Sequence, residues 1–379
     1  MAFRPRRSSL GVLLALGAGW FWPMVAEPAV VTTSVGFNNS ASLTDTETGG
    51  PTTRTDVSLG SSSVAQFNSA FGVLTGATLN LMSTRTQWMT VGSTDGPDNG
   101  NDKKDVTSNG NGSSSARIVA PGVDETFGGI DYNAGCTAGR LGACGPVTST
   151  SAGTTTNASA SVAGANLNSY VGPGMASVTR TAPVVTAVAD NKFTGTESAT
   201  YGVTWAGTLS ATYEYLLHAA PSFEADSAVL ELSHDFGTLT LSQDASPWSF
   251  DIFNLAGLDR VGLDLDSIVG GGDFGRFALS GLSSFAGLVS GTGSNYWVDF
   301  DTSATGIFAA TYFFNLSDAD VGAASSRYGY QLVLNLSGKV NPMTQQVEPR
   351  NNVPEPATLA LFTLGIATLP LARRRRTPA

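Results

Sequence analysis

The chain reads as a long series of short apolar–polar alternations broken by glycine-bearing turns, with sustained apolar runs only near its two ends. Ala77-Thr78-Leu79-Asn80-Leu81-Met82-Ser83 alternates with period two, the pattern of a half-buried strand. Strand signals of alternation or β-branched and aromatic density recur over residues 184–189, 201–205, 209–215, 229–233, 238–242, 295–300, 306–315 and 328–337. In the last of these, Leu332, Leu334 and Leu336 face one way, and Gln331, Val333 and Asn335 the other. Residues 29–40 alternate weakly and make a first strand. His234-Asp235-Phe236-Gly237 falls between two strand signals and reads as a hairpin turn. Residues 255–273 have no clear period, and residues 283–290 suit a short helix. Strands with one wet face belong to antiparallel sheets, so the expected fold is all-β, an antiparallel β-sandwich-like extracellular domain.

The two ends break this pattern. Arg4, Arg6 and Arg7 precede an apolar stretch over residues 10–22, and Pro23-Met24-Val25-Ala26 offers a cleavage site after Ala26. This predicts a signal helix over residues 1–26, with signal peptidase and the Sec translocon as export partners. Arg6-Arg7-Ser8-Ser9-Leu10 matches a twin-arginine signal only in part, since the phenylalanine usual at the Ser9 position is missing. At the other end, Val353, Pro354, Glu355 and Pro356 are followed by an apolar run over residues 357–372 and then by Arg373, Arg374, Arg375 and Arg376. The prolines keep a helix from starting before about Ala357. A helix of 16 residues spans about 24 Å, a little short of a hydrocarbon core of about 30 Å. Four arginines after it are costly to translocate and hold that end in the cytoplasm.

The order turn, short apolar span and arginine block resembles the sorting tail of the PEP-CTERM proteins of Gram-negative bacteria. The resemblance implies an exosortase, a membrane protease-transpeptidase, as processing partner. It implies that the body is cut away near Val353-Pro354-Glu355-Pro356 and delivered outward, passing from a transient inner-membrane anchor to the cell surface or beyond. Such tails are associated with exopolysaccharide producers, which makes a matrix or biofilm setting the implied context. A second resemblance covers Gln66-Phe67-Asn68 and residues 71–81, which look like the opening of a choice-of-anchor E domain, a β-rich extracellular module. The domain reading is a signal peptide over 1–26, a β-rich body over 27–340, a polar linker over 341–352 and a sorting signal over 353–379.

Removing both terminal signals changes the charge. Residues 1–26 hold three arginines and no acid, and residues 357–379 four arginines and no acid. The rest keeps 13 of 20 basic residues and all 30 acidic ones, a net charge near −17 against −10 for the whole chain. A body that acidic repels nucleic acid and anionic lipid. The 44 glycines and the low charged fraction of 13% suit an extracellular β protein.

Within the body, residues 92–174 are rich in Gly, Ser, Thr, Asn and Ala and poor in large apolar side chains. They read as a loop-rich, low-complexity insertion. Cys136 and Cys144, the two cysteines of the chain, are expected to form a local disulfide around the turn between them. The acidic cluster over residues 95–105 lacks the ligand spacing of an EF-hand loop, and Asp264, Asp266 and Asp273 beside Gly270-Gly271-Gly272 lack that of a repeat-type calcium turn. No metal or cofactor is therefore expected.

The histidines are His218 and His234. His234-Asp235 is not accompanied by a Gly-x-Ser-x-Gly elbow. Glu224, Asp226 and Glu231 could supply paired carboxylates for glycan hydrolysis. Trp88, Trp205, Trp248 and Trp297 could form a sugar-stacking platform, although core packing is the default for tryptophan in a β protein. The leading expectation is a non-enzymatic surface or matrix protein with no catalytic residue. A carbohydrate-binding module and a glycan-degrading enzyme are the alternatives.

Overall fold

A computed structural model describes residues 28–46, 51–95, 106–139, 142–191, 195–281 and 284–343. Over these residues the chain is all-β, with four short 3-10 turns. The first ten strands are β1 (Ala29–Thr46), β2 (Thr52–Ala65), β3 (Val73–Asp95), β4 (Val106–Ala120), β5 (Val123–Ala138), β6 (Cys144–Thr150), β7 (Thr154–Thr155), β8 (Ala158–Ser161), β9 (Met175–Asn191) and β10 (Gly195–Leu216). Eight more follow: β11 (Pro221–Ser222), β12 (Glu231–Thr240), β13 (Trp248–Asn254), β14 (Leu263–Gly272), β15 (Phe277–Ser280), β16 (Thr292–Phe300), β17 (Gly306–Asp318) and β18 (Gly329–Asn341).

The strands form two sandwiches. In the N-terminal one, a sheet ordered β1-β10-β3-β6, with β7 and β8 also on β3, faces a sheet ordered β2-β9-β4-β5. Their inner faces share one core that includes Leu79, Leu81 and Trp205 from the first sheet and Ile118, Val178 and Val185 from the second. In the C-terminal one, β11-β13-β16-β15 faces β12-β18-β17-β14 around Phe250, Phe277, Phe314, Leu332 and Leu334. Pairing is antiparallel throughout the named strands except between β12 and β18. The 201–205 and 209–215 signals belong to one strand, β10, whose register with β1 runs without a break from Ser198 to Tyr215.

Three expectations are corrected. The stretch 92–174 is not loop-rich over its described residues: it supplies β4 to β8 and a 3-10 turn. Its alternation is genuine but written in small side chains. Ser108, Gly110, Gly112, Ser114, Ala116 and Ile118 point inward, and Gly112 faces the Tyr201 ring so closely that an added Cβ would lie 2.2 Å from it. Small residues are needed there because the opposing sheet is large, so hydropathy alone misses the strand. His234 and Asp235 sit inside β12 rather than in a hairpin turn. Pairing with β18 continues on both sides of a register shift between Asp235 and Thr238, where Gly237 takes φ 71°. Residues 284–290 are irregular rather than helical, and Leu288 bridges to Leu263.

A hydrogen-bonded joint connects the sandwiches. β10 ends at Leu216, and two residues later His218 meets Asp318 at the end of β17. The loop after β17 packs back on the start of β3: Ala323 N–H donates to the Leu74 carbonyl at 2.7 Å, and Leu74 N–H to Ser326 Oγ at 2.9 Å.

Candidate functional site

The outer face of the sheet built on β1, β10 and β3 carries an uncommon set of side chains. Because strand side chains alternate, the residues opposite the core form continuous cross-strand rows. Thr32, Thr212, Thr78 and Ser161 make one row, Ser34, Ser210, Asn80 and Ser159 the next, and Thr44, Thr200, Thr90 and Thr148 another. Hydroxyls are bonded within the rows, Thr32 to Thr212 at 3.2 Å, Thr44 to Thr200 at 2.9 Å and Thr90 to Thr148 at 2.8 Å. Ser159 Oγ donates to Asn80 at 2.7 Å. On this outer face no charged side chain stands on β1, β10 or β3 in the rows from Thr32 to Thr44; Arg85 of β3 points into the core, and Glu214 lies just beyond the Thr212 row.

Trp88 lies in the middle of this face, in the row Ser42–Gly202–Trp88–Thr150. Its indole covers Gly202: a Cβ at that glycine would fall 2.1 Å from the ring. Gly202 is thus what lets the ring lie down on the sheet, and the ring in turn shields the bare backbone of the glycine. The indole is half-buried, while Met82, farther along β3 on the same face, is 70% exposed.

The other tryptophans are elsewhere, so the four do not form a common platform. Trp205 is fully buried on the inner face, where its Nε1 donates to Ser83 Oγ at 2.8 Å. Trp248 stacks on His234 with ring centroids 4.2 Å apart, and Trp297 packs over Gly281 in the C-terminal sandwich.

The acid and histidine candidates are also dispersed. Glu224 accepts from Ser227 Oγ at 2.5 Å, and Asp226 is exposed in the same turn. Glu231 accepts from Asn335 Nδ2 at 2.7 Å on the outer face of β12 and β18. Asp235 accepts from the Gly237 N–H, and burial against its neighbours lowers the His234 pKa. Asp264 accepts from the Gly287 N–H, Asp266 from Ser317 Oγ and Asp273 from the Ala309 N–H. Gly270, Gly271 and Gly272 are the end of β14, not a loop. Among the described residues, no three His, Cys, Asp or Glu side chains converge as a metal site. A shallow groove of about 410 Å³ on the outside of the second sheet is lined by Asn111, Asp131, Asn133 and Thr186 among others.

His218 and Asp318 form the one histidine–carboxylate pair of the described residues, and it is structural in geometry. His218 Nδ1 is 2.8 Å from Asp318 Oδ2, and Nε2 is 2.7 Å from the Ser69 carbonyl oxygen. A carbonyl can only accept, and an ionised carboxylate can only accept, so both ring nitrogens donate and the imidazole is the charged form. Burial opposes that charge, but the hydrogen bonds to Asp318 and Ser69 outweigh it and raise the His218 pKa. Asp318 is fully buried. Burial pushes its carboxyl up, yet donors from His218, the Tyr328 and Ala219 N–H groups and the Tyr330 hydroxyl win, and its pKa is lowered.

Cys136 and Cys144 are joined in a disulfide with Cα atoms 5.8 Å apart. It links β5 of one sheet to β6 of the other and so ties the two layers together. Ala26, Val353, Pro354, Glu355, Pro356 and Arg373 to Arg376 lie outside the described residues, as do residues 96–105 of the acidic cluster. Among the described residues no helix is long and apolar enough to cross a membrane.

Alternation of apolar residues alone does not reveal the hydroxyl face. The signal was available in the polar half of the same pattern, Thr84-x-Thr86-x-Trp88-x-Thr90.

Comparison with known proteins bears on the tail. Residues 352–376 match the PEP-CTERM protein-sorting motif. The chain thus carries an exosortase sorting signal, which entails export, anchoring at the C-terminus before processing and an exosortase as processing partner. The match does not extend to Gln66–Leu81, where the choice-of-anchor E resemblance lies. No curated protein matches the chain. Among solved structures, the Vibrio cholerae VesB protease overlaps 35% of this chain and 37% of its own, at 12% identity and a TM-score of 0.22. An infectious bursal disease virus structure (Gx strain) overlaps 53% of this chain and 47% of its own, at 10% identity and a TM-score of 0.14. Desmodium yellow mottle tymovirus overlaps 57% of this chain and 98% of its own, at 11% identity and a TM-score of 0.12. Overlaps this slight assign neither a fold family nor an activity.

Proposed function

We propose that the protein is a non-enzymatic component of the cell surface or extracellular polymer matrix, exported through an N-terminal signal cleaved after Ala26 and released from its C-terminal anchor by an exosortase. The observation that carries the reading is the sorting motif at residues 352–376. A sorted body needs to survive outside the cell, and two features suit it to that. The Cys136–Cys144 disulfide belongs to an oxidising compartment. The net negative charge favours solubility. β18 ends at Asn341, so the cut near Pro354 falls beyond every strand of the two sandwiches.

The experiment is intact-mass and peptide mass spectrometry of the secreted protein. The expected mature chain begins at Glu27 and lacks Arg373 to Arg376. Secreted material that retains the arginine block overturns the sorting reading. Turnover of a polysaccharide by the purified body, abolished in Glu224→Gln or Asp226→Asn, overturns the non-enzymatic reading in favour of a glycan-degrading enzyme.

A further inference from the structure

We propose that the outer face of the β1-β10-β3 sheet binds an uncharged polysaccharide, with the Trp88 indole as the surface on which a pyranose ring stacks. This names a ligand class for the matrix role above and takes its setting from that reading.

The argument starts with what the face lacks. The chain holds 30 acidic residues, yet the outer-face rows from Thr32 to Thr44 across β1, β10 and β3 hold no charge, the one charged residue of these strands in that range, Arg85, being buried on the inner face. Surface free of charge over that length offers an acidic polymer no counterion. What it offers instead is hydroxyls, each both donor and acceptor, in the same chemistry as the hydroxyls of a neutral sugar. Exchange of water for sugar hydroxyls at such rows costs little, because both partners can reorient their O–H groups.

Hydroxyl rows alone would not select a ligand. Trp88 supplies the second element. A pyranose presents an apolar C–H face, which packs on the broad side of an indole. That needs the ring to lie along the sheet instead of standing up from it, and Gly202 is the residue that permits this. Any larger residue at 202 would lift the indole. Thr86 and Thr90 flank Trp88 on β3, and Thr200 and Thr204 flank Gly202 on β10, so hydroxyls surround the ring on both strands. Beyond Gly202, the row ends at exposed Ser42 on the edge strand, which leaves room for a chain to cross the sheet.

The test is affinity electrophoresis of the secreted mature protein through gels containing xyloglucan, mixed-linkage β-glucan or dextran, with alginate as the acidic comparison. Retardation by at least one neutral polymer and none by alginate is expected. Trp88→Ala is expected to weaken that retardation at least tenfold, and Trp88→Phe, which keeps a ring over Gly202, by less. Ser42→Arg leaves the Trp88–Gly202 packing alone and blocks the crossing row; it should weaken binding with an unchanged circular dichroism spectrum. No retardation by any of the three neutral polymers overturns the proposal. So does alginate binding as strong as neutral binding, or full binding by Trp88→Ala. Loss of binding in Asp131→Ala with full binding in Ser42→Arg would move the site to the groove on the other sheet. Sedimentation showing a dimer that Ser42→Arg dissolves, with no glycan bound, would assign the face to a second copy of the chain. Sorting is scored on the C-terminus of the secreted chain and this site on gel mobility, so either can fail alone.

Discussion

In the N-terminal sandwich the inward positions of β4 from Ser108 to Ala116 are Ser108, Gly110, Gly112, Ser114 and Ala116, and only then comes the larger Ile118. In the C-terminal sandwich the inward positions of β13, β16 and β17 include Phe250, Tyr296, Phe300, Tyr312 and Phe314. The first core sets small residues on one sheet against large ones on the other and buries many polar groups. Tyr201 bonds Ser114 at 2.9 Å, Arg85 Nε donates to Thr156 at 2.9 Å, and Arg180 Nη1 and Nη2 donate to Ser62 and Asn39 while its guanidinium sits 4.0 Å over Phe37. The second core is a network of rings, with Phe277 and Phe300 stacked 4.8 Å apart and Phe250 against Phe314 at 5.8 Å. A ring network gains its stability from buried area, whereas the small-residue core depends on close approach and on hydrogen bonds between its buried polar groups.

That contrast can be broken from either side. The largest effect is expected for Phe314→Ala, which removes a fully buried ring touching Phe223 and Phe250 and should cost about 3–5 kcal/mol. Urea unfolding of the mature protein measures it. Loss of under about 1 kcal/mol would show that the rings are not the main support of that core. Next comes Asp318→Ala at the joint between the sandwiches, about 3 kcal/mol, because it strands a partly buried imidazolium and three further donors. Hydrogen exchange should show faster exchange around Ala219 and Tyr328 and little change in β4.

Gly112→Ala adds one methyl group yet should cost about 1–3 kcal/mol, since the Tyr201 ring has to move. The same substitution at Gly128, where an added Cβ meets nothing within 4 Å, is the control. Equal effects at the two positions would refute the close-approach account.

The joint also predicts a pH dependence. The raised His218 pKa means its contribution is complete below the ordinary value of 6.5 and is lost as pH rises through the folded value. The lowered Asp318 pKa means its contribution is present above 3.8 and is lost as pH falls through the folded value. The joint is therefore strongest between about pH 4 and pH 6.5, and it weakens as pH rises through the folded value of His218. Arg260, Tyr328 and Tyr330 also face the pair. Urea midpoints at pH 6 and pH 9 in the parent and in His218→Gln measure this. A pH slope that survives the substitution assigns it to other groups. Smallest of all is Thr200→Val on the hydroxyl face, within about 0.5 kcal/mol, because its partner Thr44 stays in water.

The same contrast explains what could be read in advance. Aromatic and leucine-rich strands such as β17 and β18 are plain in the sequence because their inward residues are apolar by any measure. β4 is not, because its inward residues before Ile118 are glycine, serine and alanine, with Gly110 and Gly112 set close against Met89 and Tyr201. Likewise Trp88 could be named as a stacking candidate, but its selection over Trp205 needed the parity of β3 and β10, which places one outside and the other in the core. The His218–Asp318 pair joins residues 100 positions apart, so nothing local announced it. The tail was legible by itself, since its order of proline turn, apolar span and arginines needs no partner.

The position of β18 has a mechanical consequence. It is the strand that leads to the sorting signal, and it lies inside its sheet, between β12 and β17. While the tail is held in the membrane, any drag on the body reaches the fold along β18. A strand with hydrogen-bonded neighbours on both sides cannot be peeled away one bond at a time. The load is shared in shear by the parallel ladder to β12 and the antiparallel ladder to β17. An edge strand in the same place would unzip. Pulling on Met343 in a single-molecule experiment should therefore meet high resistance, and weakening the β12 side with Leu232→Pro should lower the rupture force. The protein thus attaches its tether to the part of the sheet best able to take tension until the tether is cut.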